Sequence, residues 1–255
     1  MWSKFLAIVS LVVFSSWALP MPDRPANHAL SARPECSTNA SAAWVDVVLL
    51  IDTSSNMGSA NLRKISTVVS LVMSKFTIGN RANISAGEHN TRVAVITYDH
   101  VARIVANFTD INSLGDLSTV LNNIQVSNTV DANLYDAFKQ QVKCTEPYFT
   151  NGSCPVPTAD LDMDRPTAYV VFASNLDSPA VNGYVHQVAP WNDGATSTVI
   201  TINFNPSDKS LTAILNSLSQ YPFLQNVIMY NFLGNSNSLT NDLSWALTQG
   251  KSPIS

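Results

Sequence analysis

An α/β fold with a doubly wound, mostly parallel sheet and one antiparallel edge strand is predicted by three features of the 255-residue sequence. Runs of Val, Ile and Leu without polar alternation recur along the chain, as in strands covered on both faces. Between them lie segments whose apolar residues fall at spacings of three and four, the pattern of helices with one buried face. One pair of strand-like runs is separated by only two residues, so a hairpin is the economical connection.

The first run, Trp44-Val-Asp-Val-Val-Leu-Leu-Ile51, is broken only by Asp46. In the segment 59–76, Leu62, Ile65, Val68, Val69, Val72 and Met73 share one helical face, while Arg63 and Lys64 fall elsewhere. Segments 91–98 and 101–108 form the hairpin around Asp99-His100, and helices follow over about 113–124 and 132–143. The runs 168–173 and 197–204 repeat the buried-strand signature, each after a loop containing Pro or Gly. A helix over 210–219, a strand over 226–232 and a helix over 238–249 complete the order. In the last helix Leu239, Leu243 and Leu247 are four apart, and Gly250 supplies a C-terminal stop. Alternating strands and helices imply a parallel sheet, whose ligands gather at the carboxyl ends of the strands. No repeat or linker divides residues 44–250, which read as one domain with a tail at 251–255.

Composition narrows the function classes. A chain that is 45% hydrophobic and only 13% charged can bury a sizeable core and leaves a surface made mostly of neutral polar groups. Lys plus Arg number 14 against 18 Asp plus Glu, a net charge of -4 with no basic run, which argues against a nucleic-acid partner. Gly 9 and Pro 13, without periodicity, exclude a collagenous or largely disordered chain.

The first residues carry one cation at Lys4, an apolar stretch from Phe5 to Phe14, and small residues in Ser16-Trp17-Ala18. That is the pattern of a secretion signal over 1–18, and about ten apolar residues are too few for a bilayer span, which needs roughly 20. A polar, Pro-containing arm over 19–43 follows. In an oxidising compartment the three cysteines are read as disulfide formers. Cys144 and Cys154 bracket a loop rich in Thr, Pro, Asn and Gly that can close on itself, and this is the expected pair. Cys36 is then left in the arm, free, paired with another chain, or itself the partner of one of the other two. Four Asn-X-Ser/Thr triplets begin at Asn39, Asn83, Asn107 and Asn151, each a glycan acceptor in a secreted chain.

The first strand runs directly into Asp52-Thr-Ser54-Ser-Asn56, and a segment Asn133-Leu-Tyr-Asp-Ala-Phe138 opens a later helix. This Asp-X-Ser at a strand end, with the strand-helix order and the edge hairpin, resembles the von Willebrand factor A domain family, of a secreted invertebrate type, over about Trp44 to Gln249. The resemblance implies three loops that together hold a divalent cation: Asp-X-Ser-X-Ser after the first strand, a Thr just before a helix, and an Asp after a later strand. It also implies a metal position that takes a carboxylate from the partner.

Residue by residue, Asp52 and Ser54 match that pattern, and Asn56 replaces the last Ser with an amide oxygen able to face a hard cation. Ala132 stands where the Thr hydroxyl belongs, and a methyl group binds no metal. Phe172-Ala-Ser174-Asn175 occupies the third loop, so a neutral Ser replaces the second carboxylate. A carboxylate lost ~4 Å from a cation forfeits about 4 kcal/mol per unit of cation charge at an effective dielectric of ~20, roughly three decades in affinity. The expectation is therefore a weak or empty site, binding Mg2+ or Ca2+ feebly if at all, with Asp52 and Ser54 bracing the loop.

Enzyme signatures are missing from the sequence: there is no Gly-X-Ser-X-Gly, no Gly-X-Gly-X-X-Gly and no phosphate-cradling Gly-Lys-Ser/Thr run. No two histidines stand at metal-ligand spacing. Asp160, Asp162 and Asp164 alternate as in a calcium loop but lack its Gly and closing Glu. The expected function is a secreted, non-enzymatic adhesion module that binds an extracellular protein or matrix component through its strand-end loops. The alternative is a structural protein dimerised through Cys36.

Overall fold

In a computed structural model of the protein, residues 39–79, 90–145, 166–176, 197–218 and 226–249 are described. They lie in one compact unit, Pro34–Ser255. The elements in chain order are β1 (Asp46–Asp52), α1 (Gly58–Met73), β2 (Arg92–Tyr98), β3 (Ala102–Ala106), α2 (Leu114–Asn123), α3 (Leu134–Thr145), β4 (Thr167–Ala173), β5 (Ser197–Asn203), α4 (Lys209–Ser217), β6 (Asn226–Asn231) and α5 (Ser236–Gln249). The six strands form one sheet in the order β3-β2-β1-β4-β5-β6, all parallel except the β2–β3 hairpin. The doubly wound sheet with one antiparallel edge strand is the predicted architecture.

The unbroken apolar run of β1 has a direct cause. Val47, Leu49 and Ile51 pack in a core with Leu62, Ile65 and Val69 of α1, Leu117 of α2 and Leu243 of α5. Val48 and Leu50 face the opposite core, with Leu134 and Phe138 of α3 and Leu211 and Leu215 of α4. Neither face of the strand meets water, so a polar residue there needs a fixed partner, and each buried apolar side chain contributes roughly 1.5–3 kcal/mol.

Asp46, the one charge in that run, lies directly opposite Arg92 in the β1–β2 register. Arg92 donates from Nε to Asp46 Oδ1 at 2.7 Å and from Nη2 to Oδ2 at 2.6 Å, a buried bidentate pair. The Arg92 guanidinium also lies 5.2 Å from the centre of the Phe108 ring. The polar interruption in the first strand is thus compensated by the first residue of the second.

Element ends depart from the predicted bounds where side chains cap the backbone. Strand β3 stops at Ala106 rather than 108, because the Asn107 N–H donates to Asp110 Oδ2 at 2.8 Å and starts a turn. Helix α3 starts at Leu134, not 132, because Asn133 Oδ1 accepts from the Asp136 N–H and acts as the cap. Asn235 does the same for α5, accepting from Asn237 and Ser238 and starting that helix two residues before the predicted position. Gly58 adopts φ +70° in the tight passage from the first loop into α1, where a side chain would be strained.

Removing one member of a buried ion pair strands the other. Arg92→Ala is expected to destabilise the protein by about 3–5 kcal/mol in urea unfolding, and the Asp46→Leu/Arg92→Leu double variant by less than either single change. A double variant as damaged as the worse single variant would contradict this.

Candidate functional site

Three loops meet around Asp52 at the carboxyl end of β1. The order of the sheet reverses at β1, which has β2 on one side and β4 on the other, so the crevice beside it is the topological switch point. The first loop follows β1 and contains Thr53, Ser54 and Asn56. The second leads from α2 to α3 through Ser127, Thr129, Val130 and Ala132. The third follows β4 with Ser174 and Asn175.

Asp52 is completely buried at the end of the central strand. Its Oδ1 accepts from the Ser54 N–H at 2.8 Å. Its Oδ2 accepts three donors from the third loop: the Ser174 N–H at 2.9 Å, the Ser174 hydroxyl at 2.6 Å and the Asn175 N–H at 3.2 Å. Burial pushes the carboxyl above its ordinary value, and the donors from Ser174 and Ser54 act against that shift. Beneath it the Tyr98 hydroxyl donates to the Phe172 carbonyl at 3.0 Å, tying β2 to β4 behind β1. Burial and the charge of Asp52 both hold that phenol protonated, far above its usual range.

The second loop is sewn to the first by backbone bonds, Ser127 N–H to Thr53 O and Ser55 N–H to Thr129 O, both 2.7 Å. The Val130 carbonyl accepts two side-chain amides, Asn175 Nδ2 at 2.7 Å and Asn56 Nδ2 at 3.4 Å. One carbonyl therefore joins all three loops, while the Val130 side chain stays 59% exposed. The Ser127 and Thr129 hydroxyls bond each other at 3.0 Å.

Asp52, Ser54, Asn56 and Ser174 are thus gathered at one place, with Ala132 fully buried in the second loop. The roles of Asn175 and Val130 are found only in the structure. Asn175 adjoins Ser174 in the sequence, but nothing there marks its amide as the link to the second loop. Of the other residues singled out, Asn39 is an exposed cap of a short helical turn, its Oδ1 accepting from the Ser41 N–H at 3.1 Å. Asn107 begins the turn after β3. Cys144 falls in α3, and Cys36, Cys154, Asn83 and Asn151 lie outside the described residues.

These residues are a poor fit to a divalent cation. The Ser54 hydroxyl is buried with no bonded partner within hydrogen-bonding geometry, although it lies near enough to Asp52 to favour its charged form, and it alone resembles a waiting ligand. Asp52 Oδ2 is already occupied by three donors, the Ser174 hydroxyl proton points at it, and Ala132 offers a methyl group. Among the described residues no group of three or more His, Cys, Asp or Glu side chains converges. What the arrangement does is fasten three loops to a buried carboxylate.

Ser174→Ala is expected to lower stability by about 1.5–3 kcal/mol, the range for a hydrogen bond to a charged group. The urea midpoint should fall with the slope unchanged; an unaltered midpoint would show that the hydroxyl holds nothing.

Residues 46–147 match the family model described as von Willebrand factor type A domain. No curated protein matches the chain by sequence. Among solved structures, proximal thread matrix protein 1 from the mussel byssus is similar at 13% identity and a TM-score of 0.55, covering 82% of this chain and 47% of that one. A structure of that protein "with zinc occupied MIDAS motif" aligns at 12% identity and a TM-score of 0.52, covering 82% of this chain and 46% of that one. The human COPII-coat protein Sec24c aligns at 12% identity and a TM-score of 0.50, covering 84% of this chain and 33% of that one. This chain spans about half the length of the thread matrix protein. At such identities the likeness is one of fold, and the fold serves proteins of unlike duty. Residues 46–147 are thus similar to a von Willebrand factor type A domain, within a sheet whose fold the solved structures share.

Proposed function

We propose that the protein is a secreted, non-enzymatic binding module that engages an extracellular protein or matrix component through the three loops around Asp52, without a divalent cation. The observation that carries this reading is the clasp itself. Four hydrogen bonds converge on Asp52 and two on the Val130 carbonyl, so the binding face is assembled before any partner arrives. The exposed Val130 side chain gives that face a rigid apolar contact. Among the described residues no helix is long and apolar enough to cross a membrane. Secretion rests on the N-terminal segment over 1–18 and glycosylation on the triplets at Asn39, Asn83, Asn107 and Asn151, all read from the sequence.

Capture of partners from extracellular fluid is expected to persist in chelator and to be lost with Val130→Asp. A requirement for magnesium or manganese, or full capture by the variant, would reject the reading. The same reading holds that millimolar magnesium or manganese leaves the melting temperature unchanged, whereas Ala132→Thr/Ser174→Asp gains several degrees from the cation. A rise of that size in the natural sequence would overturn it.

The Cys144–Cys154 pairing is tested by tryptic mapping without reductant, which should recover both residues in one linked peptide; two free thiols would refute it. Cys36 as an interchain bridge predicts a dimer on non-reducing electrophoresis that collapses on reduction.

A further inference from the structure

Beside the loop cluster, at the carboxyl ends of β1 and β2, lies a cleft of about 400 Å3 between the β2–β3 hairpin and the segment that leaves α2. It shares Thr53 and Ser127 with the clasp, and a 2.7 Å bond joins the backbones of those two residues. Among the described residues the lining includes the neutral hydrogen-bonding side chains of Thr97, Gln125 and Asn128, beside the apolar Val105 and Ile124.

The charged members of the lining are Asp99, His100 and Arg103. Asp99 is only 2% exposed, and its Oδ1 accepts from the Val101 N–H and from Arg103 Nη1, both at 3.0 Å, with His100 Nδ1 at the same distance. Burial pushes the Asp99 carboxyl up, but the Val101 amide and Arg103 outweigh it and hold the group below its usual value. Arg103 is 51% exposed and, among the described residues, has Asp99 as its partner through a single nitrogen. A guanidinium carries five N–H donors in a planar fork, so one edge is fixed by Asp99 while the remaining donors stay available to the cleft.

A half-exposed ion pair contributes little to stability, so the fold itself does not require this arrangement. A guanidinium oriented by a buried carboxylate and flanked by amides and hydroxyls is, however, suited to taking a second carboxylate bidentately. The volume matches one side chain with its flanking backbone rather than a large ligand.

The geometry points to this cleft as the pocket for an aspartate or glutamate side chain of the partner protein, its carboxylate paired with Arg103. The inference rests on the protein-binding reading above and specifies the chemistry of the partner.

The test is a titration of the full chain, followed by amide NMR, with N-acetyl-glutamate methylamide, its glutamine counterpart and glucuronate. The glutamate probe is expected to shift amides within 97–105 and 123–128 and to bind at least about tenfold more tightly than the glutamine probe. Arg103→Gln should lose that preference with an unchanged melting temperature, while Arg103→Lys should retain part of it. No shift with glutamate, or undiminished binding by Arg103→Gln, overturns the proposal, and tighter binding of glucuronate overturns the protein source of the carboxylate. If Arg103→Gln leaves glutamate binding intact while Val130→Asp abolishes partner capture, this pocket fails and the binding face stands. If glutamate binding depends on Arg103 while Val130→Asp captures normally, the pocket stands and the loop face fails.

Discussion

A buried carboxylate at the end of the central strand is the constraint on which the upper face of this molecule depends. Asp52 is removed from water by the sheet and both helical layers, so its charge has to be met by fixed donors or the fold loses stability. The chain meets it with backbone and side-chain groups from two loops, three of them from the turn after β4. Once those bonds form, the third loop cannot move without exposing an uncompensated charge. The Val130 carbonyl then extends the same restraint to the second loop through two amides. The hydrogen bonds that draw the loops together involve a neutral Ser174 and leave Ala132 in the second loop as a buried methyl group.

The fold was almost wholly legible in the sequence because its signals are local. Strand β1 reads as a strand because both of its faces are covered, and α1 reads as a helix because only one of its faces is. The element ends were less legible, since they depend on which polar residue reaches the backbone first: Asn133, Asn235 and Asp110 each displaced a boundary by about two residues. The Asp46–Arg92 pair shows the complementary difficulty. A charge inside an apolar run looks like a defect until the parallel register sets its partner opposite, 46 positions away.

The site was legible in part. Asp52, Ser54, Asn56, Ala132 and Ser174 were marked by the family resemblance, and the structure brings their loops together. What spacing could not convey was the direction of the hydrogen bonds. Ser174 is more than a missing carboxylate, because its hydroxyl is a donor and turns the electrostatic logic of the loop around: the group that would have shared a cation with Asp52 instead solvates it. The cleft at Arg103 left no sequence signal either, since Asp99, Arg103 and the segment 123–128 form a pocket only after the hairpin folds against the loop leaving α2.

The most direct measurement of the clasp around Asp52 is hydrogen exchange at the Ser174 and Asn175 amides, the two backbone donors to Asp52 Oδ2. Strong protection in chelator, unchanged by added magnesium or manganese, is the outcome required if the carboxylate alone holds the third loop. Fast exchange in chelator that slows when the cation is added would show that metal, and not the Ser174 turn, closes the site.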